Sequence, residues 1–256
     1  MFVDSHCHLD KITAQGIEQT LAQASAAQVE RMLCVSVTLP DYRDMLKLVG
    51  EHPQISVSCG VHPLYVAEHD CDHAELAQLA ADPQVVAIGE TGLDYYYDKD
   101  SISKQQQSFA YHVELSHQLD KPLIIHTRDA EADTLAILRN GHAEQAGGVL
   151  HCFTERYEMA KMAIDELDFF ISISGIASFA NAKTLRETVK KLPLDKLLIE
   201  TDSPWLAPVP HRGKENQPAY VPHVAQCIAD VKGISIEEVA RVTTANFYRL
   251  FNQVKV

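Results

Sequence analysis

The chain has 256 residues, of which 46% are hydrophobic and 22% charged. That is the composition of a folded protein and excludes a disordered or low-complexity one. Against 22 Lys and Arg stand 35 Asp and Glu, a formal charge of −13, which excludes a protein that coats duplex DNA or an anionic membrane by charge alone. It leaves room for action on a phosphate ester, because bound metal ions supply positive charge locally.

In chain order, short apolar runs alternate with longer amphipathic ones. FVDSHCH (2–8) reads as the first strand, followed by 31–37, 55–61, 85–91, 122–128, 147–153, 168–174 and 195–201. Helical patterns fall between them, for example at 101–119, 130–139 and 181–191, and two more follow the last strand at 220–231 and 235–251. The alternation predicts a parallel α/β sheet. Eight units in a chain of this length predict closure into a TIM (β/α)8 barrel, a fold that takes roughly 250 residues. With no linker or charge block, the expectation is a single domain over 1–256. The loop SPWLAPVPHRGKENQP (203–218) holds four prolines, and loops this long are often functional.

The six cysteines, Cys7, Cys34, Cys59, Cys71, Cys152 and Cys227, are scattered with no CxxC pair. They read as reduced thiols. No apolar run has signal-peptide or membrane-span length. A cytoplasmic location is the expectation.

The chemistry gathers at strand ends. In HCH (6–8), His6 and His8 share one face of a strand and Cys7 points away. Glu90 in IGETGLD, His126 in IIHTR, His151 in VLHCF and Asp202 in LIETDSP each lie at or just past the end of an apolar strand. With about 32 residues per strand–helix unit, these positions fall on strands 1, 4, 5, 6 and 8. All would open on the face where barrel enzymes hold their active sites. A lone histidine at a strand end is an ordinary satisfied polar group. Six such residues at the C-terminal ends of five strands are a metal-ligand set.

DSHCHLD, GETGLDYY (89–96), HTRDA (126–130), HCF (151–153) and ETDSPWLAPVPHRGKENQP (200–218) resemble the TatD family of metal-dependent deoxyribonucleases, in particular its YcfH-type branch. The resemblance spans the chain. It implies a TIM barrel, two divalent metal ions (zinc, manganese or magnesium) and phosphodiester hydrolysis on DNA. Carried over residue by residue, one metal would take His6, His8 and Asp202, the second His126 and His151, and Glu90 would bridge them. Asp202 would also accept the proton of the attacking water. The expected activity is 3′–5′ exonucleolytic cleavage of single-stranded DNA. Nucleic-acid ends or a small phosphodiester would be the substrate, with no membrane and no obligate protein partner.

Glu200 shares strand parity with Asp202, so it is expected inside the barrel, supporting a ligand or touching substrate. Arg128, two residues past His126, suits a phosphate oxygen; the alternative is an ion pair with Asp129 or Asp133. His62 in CGVHP would reach the same mouth. Arg212 and Lys214 of the long loop would steer a polyanion or be solvated. The competing reading is an amidohydrolase-like enzyme cleaving a small amide, lactone or phosphate ester. Many such enzymes bridge their metals with a carbamylated lysine on strand 4, where this chain has Glu90.

Overall fold

Residues 1–50, 52–68 and 72–254 are described by the computed structural model. Cys71 lies outside the described residues; Cys7, Cys34, Cys59, Cys152 and Cys227 are free thiols.

Each apolar run forms a strand, and a helix crosses over to the next. The order is β1 (Phe2–Cys7), α1 (Ile17–Ala26), β2 (Val29–Val35), α2 (Leu39–Val49), β3 (Ile55–Cys59), α3 (His73–Ala80), β4 (Val85–Asp94) and α4 (Ile102–Leu119). Then come β5 (Leu123–Arg128), α5 (Glu131–Asn140), β6 (Gly148–Leu150), α6 (Tyr157–Leu167), β7 (Phe170–Ile173), α7 (Lys183–Lys191), β8 (Leu197–Ile199), α8 (Val221–Lys232) and α9 (Ile236–Leu250). Every strand pairs in parallel with the next, from β1 to β8. The ring closes just beyond β8: Asp202 N–H donates to His6 O at 2.9 Å, and His8 N–H to Ser203 O at 2.8 Å. This is a TIM barrel. No helix among the described residues is long and apolar enough to cross a membrane.

The period-two alternation of strand side chains sorts the core into two layers. Met32, Cys34, Leu123, Ile125, Leu197 and Ile199 pack outward against the helices. Leu33, Val35, Ile124, Val149 and Leu198 face inward and meet Phe247 and Leu250 of α9 and Phe251 just after it. The apolar plug of α9 thus closes one end of the barrel. At the other end the inward-facing series continues as His126 and Arg128 after Ile124, His151 after Val149, and Glu200 and Asp202 after Leu198.

Two glycines set the spacing of β4 and β5. Gly89 has φ +146°, and a Cβ there would lie 2.6 Å from Ile124 O. Gly92 has φ +130°, and its Cβ would lie 2.0 Å from His126 O. Only glycine fits both the backbone conformation and the close approach. They flank Glu90 and hold it beside His126. β4 therefore runs through Gly92 to Asp94, past the expected end at residue 91. β6 and β8 are shorter than expected; His151 sits in a turn just after β6, and Asp202 lies three residues past β8.

Candidate metal centre

The structure brings His6, His8, Glu90, His126, His151 and Asp202 together at the C-terminal mouth. Around one point stand His6 Nε2, His8 Nε2, Glu90 Oε2 and Asp202 Oδ1. The two imidazole nitrogens are 3.1 Å apart. His6 Nε2 is 3.4 Å from Glu90 Oε2 and 3.8 Å from Asp202 Oδ1. His8 Nε2 is 3.9 and 3.5 Å from the same two atoms. A tetrahedral shell with bonds of about 2.0–2.1 Å spaces its donors by roughly 3.3 Å, so the four atoms fit a divalent metal.

The other oxygen of Glu90 faces a second group. Glu90 Oε1 lies 3.4 Å from His126 Nδ1, 2.7 Å from His151 Nε2 and 3.3 Å from His62 Nε2. One carboxylate thus turns each oxygen toward a different set of histidines.

Neighbouring groups decide which ring nitrogen each histidine presents. His8 Nδ1 donates to Val35 O at 2.8 Å, which leaves Nε2 as the free lone pair. His126 Nε2 donates to Asp94 Oδ2 at 2.9 Å, which leaves Nδ1 free. Glu200 is fully buried beneath the site; its Oε1 accepts Cys152 N–H at 2.6 Å and lies 3.4 Å from His151 Nδ1. His62 differs: its Nδ1 accepts Leu64 N–H at 3.1 Å. Its neutral ring then carries the proton on Nε2, 3.3 Å from Glu90 Oε1, a donor rather than a ligand lone pair.

Burial and charge act against each other here. Burial pushes Glu90 up, but His151, His62 and His126 hold it well below the usual carboxylate range. Asp202, mostly but not fully buried, is held low by His8, His6 and His151. Burial pushes His8 down, yet attraction to Asp202 and Glu90 carries it up to about 9. His151 is raised against its burial by Glu90 and Glu200, and His126 by Asp94 and Glu90. Burial wins at His6 and His62, which are lowered. The carboxylates are therefore ionised, and protons on His8 and His151 stand where a cation would displace them.

Several buried polar atoms of the site have no hydrogen-bond partner: His6 Nδ1, both ring nitrogens of His151 and Glu200 Oε2. His151 Nε2 is one of them despite its 2.7 Å separation from Glu90 Oε1, because the two are not aligned for a hydrogen bond. A buried polar group without a partner costs about 1–3 kcal/mol. Several in one place, with nitrogen and carboxylate donors converging, suit a site organised around cations.

The donors open into a cavity of about 510 Å³ whose lining includes His62, Arg128, Tyr97 and Trp205. A larger cavity of about 670 Å³ lies by Phe2, Ala27 and Ile236, with no histidine in its lining; size does not locate the chemistry. The Arg128 guanidinium lies over the rings of Tyr96 and Tyr97, 4.1 and 4.8 Å from their centroids. Asp133 is engaged by Tyr95 Oη and Gln106 Nε2. Arg212 packs over Phe179 at 3.6 Å and is not part of the cavity lining. Sequence reasoning missed Asp94. It lies on the Glu90 face of β4, and that parity would have found it had the strand been extended through Gly92.

A family model described as TatD related DNase matches residues 3–252. The chain is 53% identical over 254 residues to the uncharacterized metal-dependent hydrolase YcfH of Escherichia coli (strain K12), covering 98% of this chain and 95% of that protein. It is 40% identical over 253 residues to the uncharacterized metal-dependent hydrolase YabD of Bacillus subtilis (strain 168), covering 98% and 99%. Among solved structures it is similar to YJJV, a TatD homolog from Escherichia coli K12, with a TM-score of 0.91, 27% identity and 98% of both chains covered.

Proposed function

As a member of the TatD family, and hence a metal-dependent hydrolase, this chain works, we propose, as a two-metal phosphodiesterase that trims single-stranded DNA from its 3′ end. The observation that carries the two-metal reading is Glu90, whose Oε2 faces His6 and His8 while Oε1 faces His126 and His151. His6, His8 and Asp202 would hold one ion, and His126 and His151 the other.

Two divalent ions, when bound, polarise phosphoryl oxygens and make water acidic enough to supply hydroxide near neutral pH. The remaining work falls to the chain. Asp202, held ionised by His8, His6 and His151, accepts the proton of the attacking water. Glu200 places its charge 3.4 Å below His151 Nδ1, and Asp94 fixes His126 by a hydrogen bond. The Arg128 guanidinium, which lines the cavity with His62, offers N–H donors to the oxygens of the phosphodiester. The amidohydrolase-like alternative has less support, since no lysine is among the residues lining the cavity.

The test is a substrate panel with metal-stripped protein restored by zinc, manganese or magnesium. Linear single-stranded DNA should be shortened from its 3′ end, and closed circular single strands should resist. RNA, carboxylic esters and amides should be cleaved more slowly or not at all. Cleavage of an amide or lactone in preference to every phosphodiester would overturn the proposal.

A further inference from the structure

Large aromatic side chains are apolar payload that folding normally hides. Here exposed ones gather at one place. Trp205 is 51% exposed, Tyr96 54% and Tyr97 64%, and Trp205 is the only tryptophan of the chain. Trp205 and Tyr97 both line the cavity over the metal ligands. Metal binding needs neither, since the donors are imidazoles and carboxylates. Exposed apolar surface concentrated at a site marks something that the site binds.

Both side chains sit on pinned backbone. Trp205 N–H donates to Asp202 O at 3.0 Å, and its own carbonyl accepts Asn216 Nδ2–H at 2.6 Å. Its indole meets the His8 ring edge-on, with centroids 5.2 Å apart. Tyr97 N–H donates to Asp94 Oδ1 at 2.8 Å, and Tyr96 N–H to the same oxygen at 3.0 Å. Trp205 follows β8 at the seam with β1, whereas Tyr97 follows β4 and Arg128 ends β5. In a ring of eight strands taken in order, that seam and the β4–β5 pair are diametrically opposed. Two aromatic walls therefore face each other across the mouth, with the donor atoms between them.

We propose that these walls are a pair of base-stacking platforms, Trp205 on one side and Tyr97 with Arg128 on the other. The cavity thereby takes a phosphodiester flanked by two nucleobases and discriminates against a phosphate ester that lacks them. This rests on the phosphodiester reading above and adds what surrounds the scissile phosphate. Every base has a π-face, so the platforms favour bases over no base with little preference among the four. The Arg128 guanidinium lies against the tyrosine rings, and its N–H groups serve phosphate oxygens.

The sole tryptophan reports directly on its own platform. The metal-restored protein is titrated with phosphorothioate-linked dithymidine, which resists cleavage, and with the same compound carrying an abasic tetrahydrofuran residue at either position. Trp205 fluorescence should change on saturation with dithymidine. One of the two abasic compounds should bind without that change. Loss of either base should weaken binding by about 5- to 150-fold, the range for one lost stack. By calorimetry, the preference for dithymidine over the abasic compounds should collapse in Trp205→Ala and in Tyr97→Ala and persist in Trp205→Phe. Metal content measured on each variant keeps a disturbed His8 from passing as lost stacking. Equal affinity of the parent for dithymidine and both abasic compounds, or saturation with no fluorescence change, would overturn the stacking while sparing the phosphodiester reading. Binding of none of the three would overturn both.

Discussion

Asp94 is not among the donors, yet its Oδ2 holds His126 Nε2 at 2.9 Å and its Oδ1 accepts the backbone of Tyr96 and Tyr97. Replacing it with alanine frees the His126 ring to take the wrong tautomer. Metal affinity at the His126 side should fall by about 10- to 100-fold, the usual effect of losing such a partner, while the His6–His8 side changes less. Competition with a chelator measures this, and parent-like affinity at both sides would contradict the role given to Asp94. Asp202 poses a different question. Asp202→Asn keeps a coordinating oxygen but loses the base, so turnover with both metals bound should drop by at least ~10²-fold. Rescue by excess metal would mean that Asp202 serves only as a ligand. The convergence of the six residues was legible in the sequence because strand parity and strand-end position are local properties. Asp94 was not, because Gly92 reads as the end of a strand when it is in fact the residue that lets β4 touch β5.

At the level of elements, the eight strands and the helices came out of the pattern to within a few residues, and the differences have physical causes. β6 and β8 stop early because Cys152 (φ 42°) and Asp202 (φ 56°) turn the chain into the left-handed region. The Cys152 N–H then goes to the Glu200 side chain and not to a ladder. Helix α4 carries a buried clip of its own. His112 Nδ1 donates to Ser108 O at 2.7 Å, and its Nε2 accepts Val61 N–H at 3.1 Å, next to His62. Burial pushes His112 down to about 4, with a smaller contribution from His73 and the Ser108 bond opposing. The folded state thus prefers the neutral ring, while the unfolded chain binds a proton near pH 6.5. The stabilisation is fully present above pH 6.5 and is lost as pH falls from there towards 4, about 3 kcal/mol in all. Urea unfolding of metal-free protein at several pH values should show a steeper acid loss for the parent than for His112→Gln. Parallel profiles between pH 6.5 and 4 would contradict the clip.

Over the whole molecule, the two ends of the barrel are specialised: Phe247 and Leu250 of α9, with Phe251 just after it, fill one, and the candidate metal-binding groups occupy the other. The barrel itself was legible, since eight β–α units in a chain of this length leave few other folds. The closing hydrogen bonds at His6, His8, Asp202 and Ser203 were not, because His8, Asp202 and Ser203 lie outside the regular strands. Nor were the aromatic walls, which sit on loops where no periodicity marks them. On the two-metal reading, the acidic chain would need its cations to meet a polyanion, and Glu90 would make the two sites depend on one another. The central claim is that both sites must be filled, and it is tested by titrating metal-free protein with Mn²⁺ or Zn²⁺ while following bound metal and cleavage of a 3′-ended single-stranded oligonucleotide together. The account predicts that turnover rises with the second equivalent and that Glu90→Gln weakens both equivalents. Full turnover with one metal bound, or none with two, would contradict it.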